Sequence, residues 1–495
     1  MTQGSLPLLP LVLADVPPAL SACLTQEGIS WCRHREQPLD GRVVLFDRHR
    51  ERPPEVDRRQ VLIDVHRIRQ QLRCDPFQQW SDARTGRGWW KIGPLSVSEE
   101  VAAVDKAAIR SAMLGSLRGF VEEAGGVWFR LSRFPYPYRS AFSLRIDYDE
   151  YHAEDVAATL AALAGHEDCT SHYICGASYE AQSDALRTMR GLDVGGHGYF
   201  HHTYPDRATN VRNIERGFAV LRQAGIEPAG FVAPHGRYTP GLAEALAELR
   251  VSHSSEFGLA YDDLPFWPPG SPVLQIPCHP VCLGSFLQAA GKADNQRARD
   301  EAADIATAYF TRLVRARYLA GDPVIIYGHP TRRLGQYPQL LHGVLGEAVQ
   351  SSAMWRTTLR TINVWWRARS KVALRLWRDG DELSVETDHC PAKWRLGGEL
   401  LRGSNRATVP LETPSVRFQP GALVFEKPAA SQSPRPLRID RGESLRGRVR
   451  RWVDWEYVTP LNEIDRSTWR GWIKHSLRRA KSNGAPPLSH IEDHE

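Results

Sequence analysis

Four short clusters of histidines and carboxylates contain the residue types that metal-dependent catalysis uses. Each cluster ends an apolar, strand-like run, and the four are DYD (147–149), HGYFH (197–201), APHG (233–236) and YGHP (327–330). In a helical turn, two histidines four residues apart face the same way, so both imidazoles can reach one cation. His197 and His201 have this spacing.

A carboxylate near the two histidines would complete a site of three ligands, with positions left open for water and substrate. Such open sites are typical of catalytic rather than structural metals. The metal lowers the pKa of its water and polarises a carbonyl group, which suits amide hydrolysis. A second carboxylate can take the water proton, and a histidine across the site can protonate the leaving amine. Each cluster alone is weak evidence, but together they predict a metal-dependent hydrolase.

The elements that position these clusters alternate between strand-like and helical runs. The predicted strands are residues 141–147, 171–176, 192–198, 229–236, 251–257, 272–279 and 323–329. Repeated β-then-α units predict an α/β fold with a parallel sheet, and about seven such units predict a closed or nearly closed barrel. The clusters fall at the carboxyl ends of the predicted strands, where barrel active sites form.

These motifs, RIDYDE, HGYFH, FVAPHG and IIYGH, resemble the NodB-homology polysaccharide deacetylase family (carbohydrate esterase family 4) over about residues 136–345. The resemblance implies a distorted barrel of the (β/α)7 type that removes N-acetyl or related acyl groups from sugars. The roles that it implies are Asp147 as catalytic base, Asp149, His197 and His201 as metal ligands, and His329 as general acid.

The resemblance also implies a substrate cleft lined by the third motif, with Pro234, His235 and Gly236. Arg237 follows this motif directly, and His279 ends the sixth predicted strand. We expect both of these residues to face the carbohydrate substrate as well. Zinc suits a ligand set of two histidines and one aspartate, although other divalent ions suit similar sets.

The sequence departs from the family pattern at two positions. The family usually has adjacent aspartates, whereas Tyr148 separates them here, so the roles of Asp147 and Asp149 could be exchanged. Val232 stands where the family has an arginine that orients the catalytic aspartate. Arg145 or Arg237 could replace that arginine. If neither does, the base is less well held and activity could be low or absent.

Two other functions stay open. One is a catalytically degenerate barrel that binds glycan without hydrolysis, which the missing arginine motivates. The other is a glycosyltransferase, because DYD (147–149) is also a DxD pattern that can hold a metal and a nucleotide sugar. No nucleotide-binding feature accompanies that pattern, and it leaves the paired histidines and His329 unexplained.

The length of 495 residues predicts two to four domains. The boundaries that we predict are an N-terminal α/β, Rossmann-like unit (1–95), a helical connector opened by a capping-box pattern at Ser96 (96–135), the deacetylase barrel (136–345), a β-rich accessory region (355–427), and a basic linker with a C-terminal amphipathic helix (428–495). The accessory region contains a predicted hairpin around Asp379-Gly380.

Charge and hydropathy limit the partners. The net charge of +6 is too small to indicate nucleic acid as the main partner. No apolar run approaches the roughly 18 residues of a membrane span, so we expect a cytoplasmic protein. Such an enzyme would meet a nucleotide sugar or a lipid-linked precursor of surface polysaccharide. Its oligomeric state is left open.

Positive charge concentrates at the C-terminus. Seven arginines lie between residues 435 and 451, and a basic helix is predicted around residues 467–481. Its apolar face is predicted to carry Trp469, Trp472, Ile473 and Leu477. Basic amphipathic helices bind anionic membrane surfaces. The alternative is a helix that docks on its own protein.

Overall fold

The computed structural model describes residues 7–34, 41–50, 54–290, 296–430, 434–440, 464, 466–467 and 469–482. Of the predicted basic run, five arginines lie outside the described residues: Arg441, Arg446, Arg448, Arg450 and Arg451.

A parallel four-stranded sheet begins the chain and confirms the predicted α/β character of the N-terminal segment. Its strands are β1 (Leu11–Ala14), β2 (Trp31–Arg33), β3 (Val43–Phe46) and β4 (Val61–Asp64), in the order β2-β1-β3-β4. The helices of this segment are α1 (Pro18–Glu27), α2 (His66–Leu72) and α3 (Pro76–Ser81). The central strands β1 and β3 are mostly buried, as expected for apolar runs covered on both faces.

The predicted helix start at Ser96 is wrong. Strand β6 (Leu95–Ala102) covers that residue and pairs antiparallel with β5 (Thr85–Ile92), and helix α4 begins later, at Lys106–Glu123. The buried Val97 and Val101 are four residues apart, a spacing that shares one face in a strand as well as in a helix. The spacing therefore could not distinguish the two structures.

The central sheet is parallel and is built around one long strand. That strand is β8 (Ser140–Tyr148), and every one of its residues is buried. Its sheet has the order β10-β9-β8-β13, with β9 (Thr170–Ile174), β10 (Asp193–Gly196) and β13 (Val324–Gly328), while β14 (Met354–Arg356) also pairs with β8. These strands confirm four of the seven predicted strands closely.

Beyond β10 the sheet continues only through short contacts. Parallel bridges join Gly196 to Phe231 and Phe231 to Ser254, and β11 (His253–Ser254) pairs with β12 (Leu274–Gln275). The chain then turns back, so that the backbone N–H of His279 donates to the carbonyl of Ile325 in β13 (2.7 Å). The described strands form no closed sheet. The structure thus has a mixed α/β fold, and closure into a barrel stays a prediction.

Helices follow most strands of the central sheet. They are α5 (Ala153–Leu163), α6 (Gly176–Tyr179), α7 (Ser183–Thr188), α8 (Arg207–Gln223), α9 (Pro240–Glu248), α10 (Ser285–Ala290), α11 (Gln296–Ala320), α12 (Gln339–Gln350) and α13 (Leu359–Arg369). The predicted start of α9 is confirmed, because the Thr239 hydroxyl accepts from the backbone N–H of Leu242 (3.1 Å). None of the helices in the described ranges is long and apolar enough to span a membrane.

The C-terminal β-rich region is present and pairs with the N-terminal part of the chain. Its strands are β15 (Leu374–Asp379), β16 (Glu382–Thr387), β17 (Leu396–Arg402), β18 (Asn405–Leu411), β19 (Ser415–Phe418) and β20 (Arg438–Asp440). The predicted hairpin is confirmed as β15 and β16. Strand β17 pairs with β7 (Trp128–Leu131), and β20 pairs with β5. One hydrophobic core accordingly extends from Leu8 to Leu411, and the described chain ends with helix α14 (Trp469–Ser482).

Candidate functional site

Asp149, His197 and His201 come together beyond the carboxyl ends of β8 and β10. Their ligand atoms lie within 4.8 Å of one another, and no other such group of three is found among the residues that the structure describes. Asp149 Oδ1 is 3.2 Å from His197 Nε2 and 3.3 Å from His201 Nε2. The two Nε2 atoms are 3.1 Å apart. The sequence analysis therefore selected three residues that the fold brings to one point.

The histidine pair is not in a helical turn, which differs from the geometry assumed from its spacing. His197 continues the line of β10, and its backbone N–H donates to the carbonyl of Ile174 (2.9 Å). Gly198 then has φ +79°, and a Cβ there would lie 2.7 Å from the carbonyl oxygen of Phe200. The chain reverses at this glycine and returns His201 to the cluster, so a side chain at position 198 would obstruct the turn.

The orientation of His197 suits a metal ligand. Its Nδ1 lies 2.7 Å from the carbonyl oxygen of Val232, which can only accept, so Nδ1 carries the proton. The lone pair of Nε2 then faces the cluster, an arrangement common among metal-binding histidines. Asp149 Oδ1 is buried and accepts no hydrogen bond. Two imidazoles and one carboxylate oxygen form a donor set that fits a divalent cation.

Asp149 is held in its ionised form. Burial opposes its charge, but electrostatic attraction to the neighbouring imidazoles of His201 and His329 and the close contacts of His197 and His201 with its carboxylate outweigh burial. Together they hold the pKa of Asp149 well below its usual value. In turn, burial lowers the pKa of His197, but its close contact with the Asp149 carboxylate and the charge of Asp147 leave that pKa raised. An ionised carboxylate next to two imidazoles is the charge arrangement that a cation requires.

The second aspartate has a different partner. Asp147 is 2% exposed, and its Oδ2 accepts from Arg145 Nη2 (2.8 Å), while its buried Oδ1 accepts no hydrogen bond. Arg145 is itself buried, and its Nη1 donates to the carbonyl of Ser255 (2.6 Å). Its guanidinium lies over the ring of Tyr327, 4.6 Å from the centroid. These three contacts fix the guanidinium, and its hydrogen bond in turn holds Oδ2 of Asp147 in place.

Of the two candidate arginines, Arg145 is the one that contacts the aspartate. The Nε atom of Arg237 instead lies 3.4 Å from Glu100 Oε2 on strand β6. Arg237 is partly buried between the third motif and the antiparallel pair of strands β5 and β6. The structure thus separates the aspartates by environment: Asp149 lies with the histidines and Asp147 with Arg145.

His329 contacts Oδ2 of Asp149, whereas His197 and His201 contact Oδ1. Its Nε2 is 3.4 Å from Asp149 Oδ2, and its Nδ1 accepts from Arg333 Nη1 (2.6 Å). Because a guanidinium can only donate, the neutral His329 ring carries its proton on Nε2. Burial and the positive charge of Arg333 outweigh the attraction of Asp149 and hold the pKa of His329 well below its usual value.

This geometry changes how His329 can act. A histidine that serves as general acid carries protons on both ring nitrogens, and Arg333 donates to the nitrogen that would hold the second proton. In this arrangement Nε2 of His329 is placed as a hydrogen-bond donor, and its role as general acid stays a prediction. Arg333 was missed from the sequence, although an arginine four residues after a candidate catalytic histidine is a visible signal.

The third motif lies next to the histidine pair. Residues Pro234–Gly236 form one short turn, in which His235 has φ +58° and is exposed. The ring centroid of His235 is 4.7 Å from that of His201. Gly236 has φ +59°, and a Cβ there would lie 2.3 Å from the ring of Phe257. The turn therefore presents an imidazole to the edge of the cluster.

His279 is not brought to the cluster. It is 1% exposed, with Nδ1 2.9 Å from Asp262 Oδ2 and Nε2 2.8 Å from the Tyr309 hydroxyl. Both ring nitrogens are thus occupied by protein groups. Its position at the end of a predicted strand suggested a cleft residue, but the chain around it turns into the interior.

A buried acid that the sequence analysis did not select lies behind the third motif. Glu256 is 1% exposed, and its Oε1 accepts from the backbone N–H of Ala233 (3.1 Å) and from the Ser254 hydroxyl. Burial raises the pKa of Glu256 to about 7, against these hydrogen bonds and the charge of Arg145. When the Glu256 carboxyl is protonated, it carries no charge that competes with Asp147 for Arg145.

The raised pKa of Glu256 predicts a pH-dependent stability. The folded protein keeps the Glu256 proton up to about pH 7, whereas the ordinary pKa of a glutamate is 4.5. The contribution of this proton to folding stability is therefore complete below about pH 4.5 and is lost as pH rises through 7. The difference corresponds to roughly 3 kcal/mol. We expect Glu256→Gln, which cannot ionise, to match the wild type in acid and to be more stable by up to about 3 kcal/mol at pH 8. Urea unfolding across this range measures it; Glu244→Gln, an exposed acid on α9, is the control. Parallel curves for wild type and Glu256→Gln would contradict the prediction.

The structure is similar to solved structures of polysaccharide deacetylases, although no protein-family model and no curated protein matches the sequence. A "putative polysaccharide deacetylase from Mycobacterium smegmatis" is 17% identical, with a TM-score of 0.42, over 50% of this chain and 96% of that chain. A "probable polysaccharide deacetylase from Pseudomonas aeruginosa PAO1" is 17% identical, with a TM-score of 0.41, over 48% and 94%. The allantoinase PuuE is 18% identical, with a TM-score of 0.40, over 48% and 93%. About half of this chain lies outside each of these matches.

Proposed function

We propose that the protein is a metal-dependent hydrolase that removes an N-acetyl or related acyl group from an amino sugar or a polysaccharide precursor. The observation that carries this proposal is the separation of the two aspartates. Asp149 lies with two histidines in a cation-binding arrangement. Asp147 is held by Arg145 at one oxygen, and its other oxygen accepts no hydrogen bond. One carboxylate is thus suited to hold a cation and the other to accept a proton.

Asp149, His197 and His201 are the residues that we assign to the cation. Zinc is the ion that we favour for two imidazoles and a carboxylate, with other divalent ions as alternatives. When bound, such an ion supplies Lewis acidity to the acyl carbonyl and lowers the pKa of a water molecule.

Asp147 is the group that moves the proton. We assign its Oδ1 to accept a proton from water as the water oxygen bonds to the acyl carbon. The carbon–nitrogen bond then breaks, and the same proton passes from Asp147 to the leaving nitrogen, which gives a free amine and a carboxylic acid. Arg145 keeps Oδ2 in place through its hydrogen bond, so Oδ1 stays directed to the reacting water.

His329 and the third motif complete the assignment. His329 donates a hydrogen bond from Nε2 to the reacting group, with Arg333 holding its proton on that atom. Pro234, His235, Gly236 and Arg237 are assigned to the carbohydrate side of the cleft. The carbohydrate itself rests on the resemblance of the motifs, and a lipid-linked or nucleotide-linked amino sugar is the substrate class that we propose.

The test is release of acetate from N-acetylated saccharides by the purified protein, with elemental analysis of bound metal. We expect acetate release that is lost on chelation and restored by zinc. Val424→Ser, which changes an exposed residue of the C-terminal region, is the control for handling. Full acetate release by metal-free protein would contradict the proposal. Saccharide binding without hydrolysis at full metal occupancy would favour the glycan-binding alternative, and turnover of a nucleotide sugar without acyl release would favour a glycosyltransferase.

A further inference from the structure

Helix α14 contacts the protein with its polar face and leaves its apolar face exposed. Gly471 and Lys474 are buried. On the other side, Trp469 is 69% exposed, Trp472 is 62% exposed and Leu477 is 44% exposed. At 100° per residue these three apolar side chains span about 140° of the helix surface, centred on the side opposite Gly471. A surface helix normally buries its apolar stripe, so this helix has the reverse arrangement.

The helix lies beside the segment that carries the candidate metal ligands. The ammonium group of Lys474 is 5.7 Å from the ring centroid of Tyr204, three residues after His201. Tyr204 is 2% exposed, and its ring centroid is 4.7 Å from that of His202. Lys474 and Tyr204, both buried, thus form the contact between α14 and the segment that follows His201.

The positive charge of α14 indicates which kind of surface its apolar face contacts. Besides the buried Lys474, residues 469–482 contain four basic residues, Arg470, Arg478, Arg479 and Lys481, and no aspartate or glutamate. A second copy of the same helix would bring like charges together. Tryptophan favours the headgroup region of a bilayer, and basic residues are attracted to anionic lipid headgroups. Apolar and basic groups on one helix fit that surface together.

We propose that the exposed face of α14 binds the surface of an anionic lipid bilayer and brings the candidate active site close to it. Membrane binding and docking on the protein are alternatives for the helix sequence, whereas the two faces of the folded helix allow both at once. The lipid contact stands on the helix alone. Its consequence for catalysis, a lipid-linked amino sugar as substrate, rests on the proposed function.

The test is co-sedimentation of the full-length protein with vesicles. The comparison is between vesicles that contain phosphatidylglycerol and vesicles of phosphatidylcholine alone. We expect binding to the anionic vesicles that weakens as salt is raised. Trp472→Ser combined with Leu477→Ser should lower the vesicle affinity by at least about tenfold, because two apolar side chains no longer enter the interface. Val424→Ser, at a side chain 83% exposed in the C-terminal β-rich region, should bind as the wild type does.

Three results would overturn the proposal: equal binding to both kinds of vesicle, no effect of the double substitution, or a dimer in solution that the double substitution dissociates. The last result would assign the face to a second copy of the chain. Acetate release from a soluble saccharide, measured on the same variants, should not change. If vesicles are bound but no variant or wild-type protein releases acetate, the proposed function fails while the lipid surface stands.

Discussion

Asp147→Asn is expected to lower the rate of acyl release by about 10²–10⁴-fold, the range typical for loss of a general base. The amide keeps the size of the side chain and an oxygen near Arg145, but it cannot accept the water proton. Because Asp147 is outside the group of Asp149, His197 and His201, bound metal should stay at the wild-type level. Steady-state acetate release and elemental analysis on the same preparation measure both quantities.

Two further variants, His329→Gln and Arg145→Met, distinguish the role of Asp147 from the roles of its neighbours. If His329 is a neutral donor, a glutamine amide can replace its hydrogen bond in part, and the loss of rate should be smaller than for Asp147→Asn. Arg145→Met removes the group that holds Oδ2 of Asp147 in place, so the rate of acyl release should fall while bound metal stays at the wild-type level. An Asp147→Asn enzyme of full activity would exclude Asp147 as the base. An equal loss in His329→Gln would return the acid role to that histidine.

Strand periodicity explains why much of the site could be predicted. Side chains two residues apart lie on the same face of a strand, so Arg145, Asp147 and Asp149 follow one another along one face at β8. Tyr148 faces the other side, where its hydroxyl is 2.9 Å from His172 Nδ1. The tyrosine between the aspartates therefore keeps them on one face, and the same period would have favoured Arg145 over Arg237.

The parts that the sequence could not predict depend on an irregular turn and on contacts between distant segments. The spacing of Arg333 from His329 is visible in the sequence, but Arg333 reaches Nδ1 only because residues Pro330–Leu334 form a tight turn that no local pattern describes. Likewise, β17 pairs with β7, and β20 with β5, so the predicted units share strands across their boundaries. Alternating polarity predicts that a strand exists, but it does not say which strand is its neighbour.

His197→Ala and Asp149→Asn are each expected to lower the affinity for a divalent metal by at least about a hundredfold, since even residues that only orient ligands contribute up to that factor. His197 has its Nε2 lone pair directed to the cluster, and Asp149 supplies the only carboxylate of the group of three. Removal of either leaves two donors, which is fewer than a catalytic site uses. Elemental analysis after dialysis against a graded chelator measures the affinity.

Thermal unfolding gives a second readout that does not depend on activity. A ligand that binds only the folded state raises Tm by an amount that grows with its concentration relative to its Kd, so added zinc should stabilise the wild type and the control His389→Ala, which changes an exposed histidine. Zinc should leave His197→Ala and Asp149→Asn unchanged. The two aspartates then make a crossed comparison: Asp149→Asn should lose metal, and Asp147→Asn should keep metal and lose rate. If the metal is lost from Asp147→Asn and retained by Asp149→Asn, the roles of the two aspartates are exchanged.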